Sequence, residues 1–143
     1  ELLTKDFKQF LERQGYNVLY YIKDDYPSFG QLNKVRDKLM NSVGMVAFGF
    51  KQIDIKQAVF RPNTKDEQAW NTRWMSTPWS DIEVGMALMK GMPILLVKNP
   101  DVNLGVFDEK LSECFVASVS TTDDNRTLFL NKEIMGWLSK LSV

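Results

Sequence analysis

The chain is 143 residues long, near the commonest domain size and long enough to bury one core without staples, so a single domain over 1–143 is expected. Lys plus Arg and Asp plus Glu each number 18, and the resulting net charge of +0 gives no global field to hold nucleic acid or an anionic bilayer. One cysteine, Cys114, and no histidine exclude a disulfide framework, His/Cys zinc sites and Ser-His-Asp or Cys-His catalysis, leaving proton transfer to carboxylates, Lys, Tyr or Cys.

That cysteine usage fits a reducing, cytoplasmic compartment. No apolar run approaches the ~20 residues of a membrane span, and no basic stretch with an apolar signal core opens the chain. The first residue is Glu1 rather than Met, which reads as a piece excised from a larger protein.

In chain order, Leu3, Phe7, Phe10 and Leu11 recur at helical spacing before Gln14-Gly15, predicting an amphipathic helix over 2–14. Residues 18–22, Val-Leu-Tyr-Tyr-Ile, read as a strand, and 23–30 carry loop chemistry with Pro27 and Gly30. Asp24 and Asp25 in that loop form a solvated turn; with no second carboxylate cluster to complete a coordination shell, no metal is expected. Leu32, Val35, Leu39 and Met40 restart helical spacing over 31–41. The continuous apolar run over 43–50 is the pattern of a strand buried on both faces of a parallel sheet.

Residues 51–78 turn polar and irregular, too long for an ordinary connection, so they are expected to form an active-site flap with a small element of its own at 53–60. A helix over 79–90, closed by Lys90-Gly91, is followed by a buried strand over 92–97. Asp108 caps a short helix in this reading, 114–118 form a fifth strand-like run, and Ile134, Trp137, Leu138 and Leu141 mark a last helix. Alternating helices and strands predict an α/β fold with a doubly wound parallel sheet of about five strands flanked by helices, whose first strand is missing because the chain begins with a helix.

The segment richest in chemistry is Trp79-Ser-Asp-Ile-Glu83-Val-Gly85-Met-Ala87. Spacing of four places the indole of Trp79 and the carboxyl of Glu83 on one helical flank, about 5–6 Å apart at Cβ. A carboxyl partly desolvated against an indole has a raised pKa and can stabilise an oxocarbenium-like transition state or attack a sugar carbon. A surface Glu beside a buried Trp on an ordinary amphipathic helix accounts for the same spacing. Between two buried strands, the amino end of this helix is expected at the carboxyl edge of the sheet, where α/β folds bind ligands.

Trp79-x-x-x-Glu83 resembles the WxxxE motif of bacterial TIR domains, whose glutamate is the catalytic residue of NAD glycohydrolases. Glu83-Val-Gly-Met-Ala, continued to Gly91-Met-Pro, is similar to the E-[IV]-G-x-A…G-x-P segment of nucleoside 2-deoxyribosyltransferases, where the glutamate is the nucleophile. The likeness is specific over 74–97 and topological elsewhere. Both resemblances imply a flavodoxin-like core and cleavage of an N-glycosidic bond, with NAD as substrate rather than cofactor in the first case and a nucleoside in the second. The TIR resemblance also implies self-association and a fused sensing domain.

Around Glu83, the candidate substrate-binding residues are Trp79, Ser76, Asp81, Trp74 and Met86. Trp70, Trp74 and Trp79 either stack on a base or fasten the long loop to the core. Ser76 and Asp81 either meet ribose hydroxyls or belong to helix capping, for which Thr77 and Ser80 are also eligible. Arg61, Lys65 and Arg73 either meet a pyrophosphate or keep the loop soluble. Three functions compete: hydrolysis of NAD or a related nucleotide at Glu83, a catalytically inactive module that binds a nucleotide or another such domain, and a deoxyribosyltransferase or nucleotide N-glycosidase.

Overall fold

The computed structural model describes residues 2–20, 30–110, 113–120 and 131–141. It is a mixed α/β structure with two sheets, a parallel one in the order β1-β4-β5 and an antiparallel pair β2-β3. The elements are α1 (Leu2–Arg13), α2 (Gln31–Met40), β1 (Met45–Gly49), β2 (Ile53–Phe60), β3 (Gln68–Met75), α3 (Pro78–Lys90), β4 (Ile94–Lys98), β5 (Phe115–Ser118) and α4 (Lys132–Leu138). A short 3-10 turn, Gly105–Phe107, interrupts the connection from β4 to β5.

Strand β4 explains the layering. All five of its residues are buried, and because side chains alternate across a strand they divide between two cores. Leu95 and Val97 join Phe7, Leu11, Ala117, Ile134 and Trp137 under α1 and α4. Ile94 and Leu96 join Ala47, Val84, Ala87 and Phe107 under α3. The registers Ala47↔Leu96↔Val116 and Gly49↔Lys98↔Ser118 carry the α3 side to the carboxyl edge. The indole of Trp137 seals the opposite edge by donating to Pro93 O at 3.1 Å.

Among the described residues the parallel sheet has three strands rather than about five. Residues 18–20, expected to begin a strand, carry no regular structure, and 21–29, including Asp24 and Asp25, lie outside the described residues. No helix among the described residues is long and apolar enough to cross a membrane.

The larger departure from expectation is 51–78, which is a β-hairpin rather than an irregular flap with one small element. Its period-2 signal is weak because most of its residues stay exposed, so no single face had to be apolar. The hairpin therefore relies on its own side chains. Phe60 and Trp70 stack with centroids 4.9 Å apart and an interplanar angle of 7°, a contact worth about 0.5–1.5 kcal/mol. Arg61 lies over Phe60 at 5.2 Å and Arg73 over Trp70 at 5.0 Å.

Trp70 and Arg73 project to opposite faces of a regular strand. Thr72, between them, has a φ of 49°, while the pairing keeps one register on either side of it, Gln57↔Asn71 and Ile55↔Arg73. Left-handed backbone at a β-branched residue costs roughly 1–2 kcal/mol, whereas an exposed guanidinium over a ring returns about 0.5–1 kcal/mol. The Trp70 Nε1 donor is also buried without an acceptor, at a cost of roughly 1–3 kcal/mol.

Candidate functional site

Helix α3 carries the site. Thr77 is its N-cap in extended backbone and Pro78 opens it, while Gly91, at φ 74°, closes it and donates to Ala87 O. Neither Thr77 nor its neighbours cap the helix by a side-chain hydrogen bond to its backbone; the Thr77 and Ser80 hydroxyls lie 3.4 Å apart instead. Val84 and Ala87 are fully buried against the sheet. That anchoring leaves residues 79, 83, 86 and 90 on one flank of the helix.

The flank faces α2. Lys90 Nζ donates to Leu39 O at 2.8 Å, Met40 O at 3.0 Å and Ser42 O at 2.7 Å, using all three ammonium donors to close the carboxyl end of α2. Glu83 stands two turns up this flank, half-buried, and burial raises its carboxyl above the ordinary value of 4.5. Met86 is half-buried one turn below it. Trp79 shares the flank but is 41% exposed.

Asp81 points elsewhere. Its Oδ1 accepts from Val106 N at 3.0 Å, and Gly105, at φ 64°, lies so close that a Cβ there would collide with the carboxylate. The carboxylate thus holds the loop after β4 onto the first turn of α3. Phe107 follows Gly105–Val106 and packs against Gly49, where an added Cβ would come within 2.6 Å of the ring. Asp108, expected to cap a short helix, flanks the carboxyl end of the 3-10 turn and accepts from Lys110 N at 3.1 Å; residues 111–112 lie outside the described residues.

The same loop closes the carboxyl edge. Asn99 N donates to Gly49 O at 3.0 Å, its side-chain oxygen accepts from Lys51 N at 3.2 Å, and its amide donates to Val119 O at 3.4 Å, clipping all three parallel strands. Lys51 pairs with Asp101 at 2.7 Å and sits 5.2 Å over the Trp74 ring. Trp74 in turn bridges to Val102. Ser76 is buried just before the helix begins.

Lys98 is the residue that sequence reading missed. It ends β4 and is 1% exposed, and its ammonium donates to Asn103 Oδ1 at 2.5 Å and Phe107 O at 3.1 Å, with Glu109 Oε1 at 3.4 Å. Three donors with three acceptors make the buried charge tolerable and pin the loop that Asp81 also holds. The only signal for it in the sequence is a cation that follows directly on the four apolar residues Ile94, Leu95, Leu96 and Val97.

The structure therefore brings Glu83, Met86 and Trp79 together on the α2-facing flank, and places Asp81, Trp74 and Ser76 with the loop 99–109 and the end of the hairpin. Cys114 is half-buried, just before β5. Among the described residues no group of three or more His, Cys, Asp or Glu side chains converges as a metal site would. Chemically, the arrangement offers one desolvated carboxyl on a rigid helix beside a sheet edge closed by hydrogen bonds. Comparison with protein-family models, with curated proteins and with solved structures finds no match for this chain.

Proposed function

We propose that the chain hydrolyses the N-glycosidic bond of NAD or a related nucleotide, with Glu83 as the carboxylate at the reacting ribose. The observation that carries this reading is the half-buried Glu83 carboxyl, raised by desolvation, on a helix anchored to the sheet by Val84 and Ala87. A carboxylate that water solvates poorly interacts strongly with positive charge developing at the anomeric carbon. The leaving nicotinamide takes the bonding electron pair and its ring nitrogen becomes neutral. No general acid is needed for that step, which suits a chain without histidine. Water then adds to the anomeric carbon and loses a proton, for which Glu83 is the nearby acceptor in this scheme.

The TIR-like spacing Trp79-x-x-x-Glu83 supports the same reaction, as does the deoxyribosyltransferase-like continuation to Gly91-Met-Pro93. Met86 and the exposed Trp79 border the carboxyl as substrate contacts. Self-association, which the resemblance implies, is expected to raise activity with protein concentration. Concentrated protein incubated with NAD should release nicotinamide, followed by chromatography, and Glu83→Gln should lower the rate at least about a hundredfold. An unchanged rate in the variant sinks the proposal.

One observation favours a second reading, a nucleotide-binding module without turnover: β1 has a neighbour on one side alone among the described residues, where a further strand was expected to carry ligand contacts. Saturable nucleotide binding without product would favour it. Base exchange between a deoxynucleoside and a free base would instead point to a transferase.

A further inference from the structure

Helix α3 turns one row of residues away from the core. Val84 and Ala87 are fully buried, and the row on the opposite side is Pro78, Ile82, Gly85 and Met89. Ile82 is 43% exposed and Met89 89%. A surface helix ordinarily turns charged and polar residues to water. Helix α1 does so with Lys5, Gln9, Glu12 and Arg13, and α2 with Asn33, Lys34, Arg36 and Asp37. The α3 row carries no polar side chain. Gly85, at its middle, costs the helix roughly 0.5–1 kcal/mol relative to alanine. The chain's own packing does not require it, because an added Cβ would meet nothing within 4 Å. Nor does the candidate site, since Gly85 lies two residues from Glu83 and so about 200° around the helix from it. What bare backbone there admits is the close approach of another surface.

We propose that this row is the interface of a symmetric dimer, in which α3 packs antiparallel to α3 of a second copy with the two Gly85 residues at the crossing point. The row itself selects that occupant. Ile82 stands three residues before Gly85 and Met89 four after it, so an antiparallel copy centred there sets Ile82 of each chain against Met89 of the other, and one patch serves both partners. The charges agree. Helix α3 carries Asp81 and Glu83 in its amino half and Lys90 at its carboxyl end. Among the described residues the Lys90 ammonium faces three carbonyls and no carboxylate. Antiparallel pairing brings that cation toward the acidic half of the partner helix, whereas parallel pairing sets like charge beside like. One helix face is smaller than the roughly 800 Å² that each partner of a standard interface buries, so the dimer is weak and concentration-dependent. The proposal does not rest on the glycosidase reading, because association is read without substrate.

The test is sedimentation of the whole chain over a range of concentrations, with thermal unfolding at dilutions where wild type is monomeric to verify each fold. It compares wild type, Gly85→Ala, Ile82→Lys, Met89→Glu and an equimolar mixture of the last two. Wild type should pass from monomer to dimer as concentration rises. Gly85→Ala should unfold no more easily than wild type, since its methyl meets nothing in its own chain, yet dimerise at least about tenfold more weakly. Ile82→Lys and Met89→Glu should each weaken the dimer at least as much. Their mixture should recover association, because the heterodimer sets the new ammonium against the new carboxylate on one side and keeps the native Ile82–Met89 contact on the other. A chain that stays monomeric at every concentration overturns the proposal, whatever covers α3. So does a dimer unchanged in Gly85→Ala or Met89→Glu, or a mixture that associates no better than either variant alone. The two proposals fail separately. Nicotinamide release by a chain that stays monomeric keeps the glycosidase and removes the interface, and a dimer with this pattern in a chain that cleaves nothing does the reverse.

Discussion

The hairpin and the parallel-sheet body are held together in different ways. In the body, β4 is buried on both faces and its side chains divide between two cores, so stability comes from apolar area removed from water. In the hairpin, one stack of two rings and two guanidiniums supports sixteen strand residues that are mostly exposed. In the body, Lys98 and Lys90 each place an ammonium among three acceptors. In the hairpin, among the described residues, the buried indole N–H of Trp70 has no acceptor and the Arg73 guanidinium lies over its ring.

The largest effect is expected in the body. Leu96→Ala removes a fully buried side chain from the central strand and should cost about 2–5 kcal/mol, read from chemical denaturation with a lowered midpoint. Trp70→Ala should act locally. Loss of the stack should weaken the hairpin by roughly 1–2 kcal/mol, seen as faster amide exchange over β2 and β3, with exchange in β4 unchanged. An equal fall in the global midpoint for the two variants would break the distinction and make hairpin and body one cooperative unit.

Glu83→Gln sharpens the comparison from the body's side, with a smaller effect. Burial raises the folded-state pKa of Glu83 above 4.5, so folding favours the protonated form. Below the unfolded value both states are protonated and no penalty exists; as pH rises through the folded-state value, the native state alone carries a poorly solvated charge. The variant should therefore unfold at a higher temperature than wild type at pH 7, and the difference should vanish below about pH 4.5. A Tm difference that grows as pH falls would contradict a desolvated carboxyl.

The helices and the parallel strands were legible because each has a strong local signal. Helix α3 was expected over 79–90 and is Pro78–Lys90; the strand expected over 92–97 is Ile94–Lys98. Glycine at 91 marked the helix end because left-handed backbone there suits it. In the hairpin, the small element expected at 53–60 is β2, Ile53–Phe60, but β3 and the pairing were not legible, since most of the strand residues stay exposed and show neither helical nor clear two-residue apolar periodicity. Of the strand expected at 18–22, residues 18–20 carry no regular structure and 21–22 lie outside the described residues; an apolar run states a tendency to be buried, and only neighbours decide where.

The candidate site divides in the same way. That Glu83 and Trp79 share a flank followed from spacing, because residues four apart along a helix fall on one flank. Asp81 has the same local credentials, yet it is turned to the loop after β4, which no spacing within α3 reveals. By itself the sequence determined a charge-balanced, histidine-free α/β chain with a carboxyl and an indole on one helix flank, since those properties follow from composition and local periodicity. The tertiary structure decided that Lys98 is buried among three acceptors, that Asp81 holds a loop, and that Arg73 lies over Trp70. Each of those depends on how folded segments meet in space, and hydrogen-bond partners are chosen by position rather than by residue type.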